Sequence, residues 1–198
     1  MTQLADVGAV SYGVGVIHGR FQVLHNDHLR YLLAGKARCR FLVVGVTNPD
    51  PGRTRPEAAD PHRSTAEANP LTYYERALLV RAALVGAGVP LAEFMVTPLP
   101  VNQPELIHHY APRAATYFLS ICDDWGRKKL ERLQALGLDT HVLWEVPPEQ
   151  KGLTGTRVRS LMAAGGDWRP LVPPAVARLL EDWGIPARLR ANSPGDIP

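Results

Sequence analysis

Short apolar segments alternate with longer segments of helical periodicity along most of this 198-residue chain. The apolar segments span five to seven residues and are rich in β-branched side chains, which is typical of strands buried on both faces of a sheet. Because parallel strands need crossover helices between them, the alternation predicts an α/β fold with a parallel sheet of about five strands and helices on both faces. We place the strands at 12–18, 40–46, 93–97, 115–121 and 140–146, and the helices at 27–37, 72–86, 105–110, 125–136, 156–164 and 174–182.

The length favours a single domain, because chains of this size seldom divide into two. We expect one domain over 1–190, with a flexible tail at 191–198. Residues 47–70 break the alternation, since they hold five prolines and three arginines and show no periodicity. We interpret this segment as a long insertion loop, and loops of such length inside a compact domain are uncommon and are usually either functional or disordered.

Composition and charge argue against nucleic acid and membranes as partners of this protein. Lys and Arg number 22 against 19 Asp and Glu, and a net charge of +3 gives no reason to expect nucleic acid. The apolar runs are too short to span a membrane, and the first ten residues lack the features of a signal peptide. Cys39 and Cys122 lie apart in apolar surroundings, which favours a reducing compartment over a disulfide. We therefore expect a cytoplasmic protein with no nucleic-acid or membrane partner.

The first predicted strand ends in a glycine-containing turn before a helix begins. Ligands of open α/β sheets bind beyond the carboxyl ends of the strands, and the free backbone N–H groups of a helix N-terminus suit an anion. His25 and His28 are three residues apart and can both face that position. A His-x-x-His pair also occurs in zinc sites, but no further ligands lie at a familiar spacing in this sequence. The candidate residues of this segment are Gly19, Arg20, Phe21, Gln22, His25 and His28.

A second segment with the same property follows the last predicted strand. It reads Gly-Leu-Thr-Gly-Thr-Arg-Val-Arg over 152–159 and opens a helix. Small hydroxyl residues at a helix start are ordinary caps, but a guanidinium one turn later makes a second helix end that suits phosphate. Two such ends on one sheet are more than capping requires. The candidate residues here are Thr154, Gly155, Thr156 and Arg159.

Together the two segments resemble the HxGH and ISGTxxR signatures of the nucleotidylyltransferase superfamily. Residues 19–22 also match the GRFQ run of archaeal-type nicotinamide mononucleotide adenylyltransferases, and 69–76 are similar to the NPF-T-x-x-ER segment of those enzymes. The resemblance extends in order over about residues 12 to 190. It implies a Rossmann-like, doubly wound sheet.

The resemblance also implies a reaction. A phosphate oxygen of an acceptor attacks the α-phosphorus of a nucleoside triphosphate bound with Mg²⁺, and pyrophosphate leaves. We expect the triphosphate to be ATP, and CTP is the alternative. Positioning and electrostatic stabilisation supply the catalysis, and no protein nucleophile is needed. The family pattern assigns catalysis to His25, His28, Arg20 and Arg159, and nucleotide binding to Gly19, Arg20, Phe21, Gln22, Thr154, Gly155, Thr156 and Arg159.

The sequence departs from the family at two places. Asp27 stands where HxGH has its glycine, and a carboxylate there repels a triphosphate unless it turns away or holds the magnesium. Asp27 is therefore the candidate metal ligand. The segments after the third and fourth strands also differ from those that recognise nicotinamide ribotide in the family. We expect the acceptor at these strand ends, in contact with Asn102, His108, Tyr110, Asp123, Asp124 and Trp125.

Three functions stay open on the sequence alone. The first expectation is adenylyl transfer from ATP to nicotinamide mononucleotide. The second is cytidylyl or another nucleotidylyl transfer to a small phosphate or phosphonate. The third is a nucleotide-binding regulator that has lost catalysis through Asp27. In the two enzymatic cases the partner is a small phosphate-bearing acceptor, and assembly into a homo-oligomer stays open.

Overall fold

A computed structural model describes residues 10–50, 68–150 and 152–192 of the protein. Within these ranges five strands form one parallel sheet, which confirms the α/β fold predicted from the sequence. Every strand begins and ends within two residues of its predicted position. The strands are β1 (Tyr12–Gly19), β2 (Cys39–Thr47), β3 (Phe94–Leu99), β4 (Thr116–Ile121) and β5 (Asp139–Glu145).

The described residues also form six α-helices. None of the described helices is long and apolar enough to cross a membrane. Five of them confirm predicted helices, and the sixth follows α5 after a short turn at Gly184. They are α1 (Asn26–Lys36), α2 (Tyr73–Gly86), α3 (Asp124–Ala135), α4 (Gly155–Ala163), α5 (Pro174–Asp182) and α6 (Ile185–Asn192).

Three features differ from the sequence expectation. The helix expected at 105–110 is a 3₁₀ helix, Pro104–His109, because the segment is too short to stabilise α-helical turns. Ala191 and Asn192, expected in the tail, close α6, and 193–198 lie outside the described residues. The insertion expected at 47–70 is described only at its ends, where Thr47 still belongs to β2; the remainder, 51–67, lies outside the described residues.

The order of the strands places β1 at the centre of the sheet. The order is β3-β2-β1-β4-β5, so the chain moves outward from β1 to β3 and then returns to the opposite side of β1 with β4. Gly19, the last residue of β1, pairs with Val46 of β2. The carboxyl ends of β1 and β4 therefore flank the point where the winding direction reverses, and open α/β sheets bind their ligands at such a point.

A hydrophobic core covers each face of the sheet, so the sheet is doubly wound. The larger core lies under α1, α2, α4, α5 and α6, and the smaller core lies under α3 and the 3₁₀ helix. Because side chains alternate along a strand, Ile17 of β1 joins the larger core while Val16 joins the smaller one. The turn that follows β1 leads into α1, on the side of the larger core.

Candidate active site

The turn between β1 and α1 forms one wall of the candidate site. Phe21 has a left-handed backbone conformation with φ of 52°, which is strained for a residue other than glycine and typical of functional turns. Its buried ring covers Gly19, where an added β-carbon would lie 3.0 Å from a ring carbon. The same ring meets His28 edge-on, with 5.2 Å between ring centroids. Gly19 and Phe21 thus shape the turn and support the imidazole of His28.

The two histidines of the first signature lie against one another at the start of α1. His25 is the N-cap of the helix, and its ring stacks on that of His28 with 3.7 Å between centroids. Nδ1 of His28 accepts a hydrogen bond from the backbone N–H of His25 at 3.4 Å. A neutral imidazole that accepts at Nδ1 carries its proton on Nε2 and donates from there. Nδ1 of His25 is buried and has no hydrogen-bond partner among the described residues.

Both imidazoles are neutral at pH 7 in the substrate-free protein. Burial lowers the pKa of His25 to about 4, and the carboxylate of Asp27 offsets part of that effect. Burial also lowers the pKa of His28 well below its ordinary value, as do the neighbouring charges of His25 and Arg20, while a hydrogen bond with the backbone of Val23 acts in the opposite direction. A bound polyanion favours the protonated imidazoles, because an opposite charge nearby raises the pKa of a histidine.

The two signatures meet at the backbone of Gln22. Its side chain is engaged with Leu71, because Nε2 donates to the Leu71 carbonyl at 2.9 Å and Oε1 accepts from the Leu71 N–H at 3.0 Å. Its carbonyl accepts a hydrogen bond from the guanidinium of Arg159. A β-carbon at Gly155 would lie 2.5 Å from the same carbonyl oxygen, so only glycine lets α4 approach this closely. Gln22 and Gly155 therefore bring α4 against the first signature.

The second signature adds hydroxyl and guanidinium groups at the start of α4. Thr154 is the N-cap, and its hydroxyl accepts a hydrogen bond from the N–H of Arg157 at 3.3 Å. Nη2 of Arg159 donates to the hydroxyl of Thr156 at 3.2 Å. Burial lowers the pKa of Arg159, but an arginine stays charged at pH 7 after such a change. The guanidinium of Arg159 thus lies between α4 and the turn after β1.

Asp27, the residue that replaces the signature glycine, is turned toward the second signature. Its Oδ2 accepts a hydrogen bond from the backbone N–H of Leu153 at 2.7 Å. Its Oδ1 lies 3.7 Å from the guanidinium of Arg30. Both carboxylate oxygens thus have protein partners. Within 10–50, 68–150 and 152–192, no three His, Cys, Asp or Glu side chains are grouped so that they could hold a metal ion.

Arg76 of α2 belongs to the site although the sequence analysis did not select it. Its guanidinium donates to four backbone carbonyls, those of Arg20 at 3.0 Å, Thr47 at 2.7 Å, Asn48 at 2.8 Å and Thr72 at 3.2 Å. It therefore ties the ends of β1 and β2 to α2. Burial and the nearby charge of Arg20 lower the pKa of Arg76 to about 10, so it is charged at pH 7. The available signal was its place at the end of the segment 69–76 that resembles the adenylyltransferases.

No family model matches the chain, but curated relatives do. A phosphonoformate cytidylyltransferase from Streptomyces viridochromogenes is 53% identical over 179 residues, which cover 90% of this chain and 96% of the relative. The chain belongs to the nucleotidylyltransferase superfamily. A nicotinamide-nucleotide adenylyltransferase from Ignicoccus hospitalis is 29% identical over 182 residues, again 90% of this chain and 96% of the relative.

A solved structure shows the same fold for this nucleotidylyltransferase. A bifunctional NMN adenylyltransferase/ADP ribose pyrophosphatase from Francisella tularensis superimposes with a TM-score of 0.65 at 17% identity. The match covers 91% of this chain and 53% of that protein, so the chain spans about half of its length. The enzyme class and the superfamily inferred from the two signatures are thus confirmed.

The candidate site brings hydrogen-bond donors and positive charge together at one end of β1. The bond from Leu153 to Asp27 joins the start of α4 to the start of α1, and the first N–H groups of a helix lack partners within the helix and lie at the positive end of its dipole. The imidazoles of His25 and His28 and the charged groups of Arg20 and Arg159 surround these helix ends. Such an arrangement stabilises negative charge that grows on phosphate oxygens during group transfer.

The residues expected at the acceptor side after β3 begin far from the reversal point. Two strands, β2 and β1, separate β3 from β4. Asn102 is half-buried in the turn after β3, and Tyr110 is exposed beyond the 3₁₀ helix. His108 is half-buried in that helix, and its Nδ1 has no hydrogen-bond partner among the described residues. Ile107, the neighbour of His108, packs in the core under α3, so this segment runs back across the sheet toward β1.

The residues expected after β4 lie at the start of α3, next to the reversal point. Asp123 is the N-cap of this helix, because its Oδ1 accepts a hydrogen bond from the N–H of Gly126 at 2.9 Å. Asp124 is the first helical residue and is exposed, and Trp125 is half-buried. The carboxylate of Asp123 is thus engaged in holding the start of α3.

His18 is a second residue that the sequence analysis did not select. It precedes Gly19 at the end of β1 and lies on the same face as Val16, under α3. It is 6% exposed, and its Nδ1 has no hydrogen-bond partner among the described residues. Burial lowers its pKa, and the nearby ammonium group of Lys129 lowers it further. A lone histidine within an apolar strand gives no sequence signal that separates it from a core residue.

Proposed function

We propose that this protein transfers a cytidylyl group from CTP to a small phosphonate of the phosphonoformate type, with release of pyrophosphate. The observation that carries the proposal is the 53% identity to the phosphonoformate cytidylyltransferase over 179 residues, against 29% to the adenylyltransferase over 182 residues. The comparisons therefore favour the second of the three functions considered above. Adenylyl transfer to nicotinamide mononucleotide, the first expectation, has the weaker support.

The proposed step is a single displacement at phosphorus. An oxygen of the acceptor phosphonate forms a bond to the α-phosphorus of CTP, the bond from that phosphorus to the β-phosphate oxygen breaks, and pyrophosphate carries away the electron pair. Mg²⁺ enters with CTP as part of the substrate and neutralises phosphate charge. No covalent enzyme intermediate forms, so the protein contributes position and charge stabilisation.

Each group of the site has a role in that step. We assign hydrogen-bond donation to the α-phosphate and the leaving oxygen to His25 and His28, because their rings lie stacked at the start of α1. We assign the β- and γ-phosphates to the start of α4, where the guanidinium of Arg159 lies beside the hydroxyl of Thr156 at the positive end of the helix dipole. Arg20, whose charge acts on both His28 and Arg76, adds a third cationic group at the same end of β1.

A cationic group near the end of β1 suits a small anion as the acceptor. His18 lies there close to the ammonium group of Lys129. The carboxylate of Asp123, at the start of the same helix as Lys129, is engaged as the helix cap. We propose that the acceptor binds between the turns after β1 and β4, with Lys129 supplying charge and with Asn102, His108, Asp124 and Trp125 at the rim.

The test is the rate of pyrophosphate release over a grid of substrates. CTP, ATP, UTP and GTP are each combined with phosphonoformate, 2-aminoethylphosphonate, nicotinamide mononucleotide and no acceptor, in the presence of Mg²⁺. We expect CTP with phosphonoformate to give a kcat/KM at least about 100-fold above ATP with nicotinamide mononucleotide, because acceptor and base contacts together are worth a few kcal/mol. The His28→Ala protein, prepared in parallel, measures contaminating activity.

Two results of this grid would overturn the proposal. A preference for ATP with nicotinamide mononucleotide would restore the adenylyltransferase reading. Triphosphate binding without turnover for any acceptor would favour the third function, a nucleotide-binding regulator that has lost catalysis through Asp27.

A further inference from the structure

We infer that Asp27 is a positioning residue that fastens the second signature to the first, with Gly152 as the residue that makes room for it. The inference rests on nucleotidylyl transfer as the class of reaction and does not depend on which acceptor is used. Asp27 lies between the two histidines of the first signature in sequence, at the second residue of α1. Its side chain, however, is directed at residues 126 positions further along the chain.

The contact is short and specific. Oδ2 of Asp27 accepts the backbone N–H of Leu153 at 2.7 Å, and Leu153 directly precedes Thr154, the N-cap of α4. A hydrogen bond to an ionised carboxylate is about twice as strong as one between neutral groups. The bond therefore fixes the residue before α4 to the first turn of α1, which holds the two helix N-termini at a set separation.

Gly152 completes the contact by having no side chain. The atoms nearest to a β-carbon built at this position are those of the Asp27 carboxylate, since the β-carbon overlaps Oδ2 and lies 3.3 Å from Cγ. An alanine there would have to displace the carboxylate or shift the loop. The two positions are thus coupled: the bond from Leu153 to Asp27 leaves no room for a β-carbon at 152, and glycine at 27 would remove this clash.

The bond from Leu153 explains how Asp27 can replace the signature glycine without acting against triphosphate binding. A carboxylate at the signature glycine repels a triphosphate when it faces the phosphates. In this protein it faces Leu153, and its other oxygen lies near the exposed guanidinium of Arg30. The groups around it are the imidazoles of His25 and His28 and the guanidinium of Arg30. Its charge also favours the protonated form of His25.

The first experiment compares three substitutions at position 27 by calorimetric titration with Mg²⁺·CTP and, in parallel, Mg²⁺·ATP. We expect Asp27→Ala and Asp27→Gly to weaken binding of whichever triphosphate the wild-type protein binds by about 10-fold, since a hydrogen bond to a charged group is lost. Asp27→Asn keeps an acceptor oxygen and should stay within about threefold. Arg30→Ala, which removes an exposed ion pair and a contact with the ring of Trp144 but keeps the bond from Leu153 to Asp27, is the control and should leave binding unchanged.

Different outcomes point to different roles for Asp27. Tighter binding by Asp27→Ala would show that the carboxylate merely repels phosphate and would overturn the inference. An equal loss in Asp27→Asn and Asp27→Ala, together with a raised Mg²⁺ requirement, would make it a metal ligand and would also overturn it. Because both triphosphates are titrated, a wrong nucleotide in the proposed function leaves the comparison among these variants intact.

The second experiment tests the coupling without any ligand. Thermal unfolding is recorded for the wild-type protein, Gly152→Ala, Asp27→Gly and the double variant. We expect Gly152→Ala to lower the unfolding midpoint clearly in the wild-type background and to have little effect once Asp27 is glycine, because the atoms nearest to the new β-carbon all belong to the Asp27 carboxylate. Equal losses in both backgrounds would contradict the pairing. This readout stays informative even if one variant binds no triphosphate.

Discussion

At the scale of single residues, the stacked histidines His25 and His28 carry the proposed catalytic step. Replacing His28 with Ala should lower kcat at least about 100-fold while changing the dissociation constant of the triphosphate only a few-fold, because its hydrogen bond is made chiefly in the transition state. His25→Ala should behave in the same way. Single-turnover rates and calorimetric titration measure the two quantities separately.

The control for these variants is His141→Asn. His141 lies near the start of β5, where its Nδ1 bonds the hydroxyl of Tyr12 at 3.0 Å, at the opposite end of the strands from the candidate site. It should keep the wild-type kcat. Near-normal kcat in both His25→Ala and His28→Ala would remove these residues from the catalytic step.

The same histidines should make the fold sensitive to mild acid. His25 titrates at about 4 in the folded protein and at about 6.5 when unfolded, so the unfolded state binds more protons between these values. The free energy of unfolding should therefore fall as the pH drops from about 6.5 to about 4, by up to about 3 kcal/mol from this group. His18 and His28 act in the same direction, because their pKa values are lowered too.

Urea unfolding at several pH values measures this dependence. His25→Asn should lose less stability than the wild-type protein over the same pH interval, because one of the buried neutral imidazoles is gone. An identical slope in the two proteins would mean that His25 is not buried in its neutral form.

At the scale of secondary-structure elements, the approach of α4 to the turn after β1 is critical. Gly155→Ala should raise the dissociation constant of the triphosphate about 10-fold, because the new β-carbon would press on the carbonyl of Gln22 and separate the two helix N-termini. Gly13→Ala in β1 is the matched control, since its β-carbon would lie 3.6 Å from the nearest atom, in ordinary contact. If both variants bind equally well, the closeness of α4 is not needed for binding.

Much of this architecture was predictable from the sequence, because strand length, β-branched content and helical periodicity are local signals. The two helix starts that suit an anion followed from these signals, whereas the resemblance to the nucleotidylyltransferases identified them as signatures. The order of the strands then explains why both lie at the end of β1. Contacts between distant segments gave no local signal. The bond from Leu153 to Asp27 joins residues 126 apart, and the bond from Arg76 to the Arg20 carbonyl joins residues 56 apart. Neither could be derived without the fold.

Two errors in the element prediction have physical causes. The segment Pro104–His109 has the composition of a helix but only six residues, so it adopts the tighter 3₁₀ form. Pro186 is the second residue of the last helix, α6, where its missing N–H costs no hydrogen bond. Because proline interrupts helices at most other positions, α6 was not predicted from the sequence.

At the scale of the whole molecule, α6 is fastened to the start of α2 beside the site. Arg188 makes a bidentate ion pair with Glu75, with distances of 2.8 and 3.0 Å. Glu75 is also the capping-box partner of Thr72, whose N–H it accepts at 2.8 Å. Side-chain exposures of 37% and 13% for Arg188 and Glu75 limit solvent screening of the pair.

Arg188→Ala should therefore lower the free energy of unfolding by about 1–2 kcal/mol, as expected for a partly buried bidentate pair. Arg190→Ala, an exposed arginine on the same helix, is the control and should change it by less than about 0.5 kcal/mol. Urea denaturation measures both. Equal values for the two variants would show that the pair with Glu75 does not hold α6 in place.

The central claim, that this molecule moves a cytidylyl group onto a small phosphonate, is tested most directly by letting the substrates compete in one tube. Equimolar CTP, ATP, phosphonoformate and nicotinamide mononucleotide are incubated with the protein and Mg²⁺, and the phosphorus NMR spectrum is followed over time. We expect pyrophosphate together with a new phosphoric–phosphonic anhydride derived from CTP and phosphonoformate, while ATP and nicotinamide mononucleotide persist. A dinucleotide formed from ATP and nicotinamide mononucleotide as the main product would contradict it.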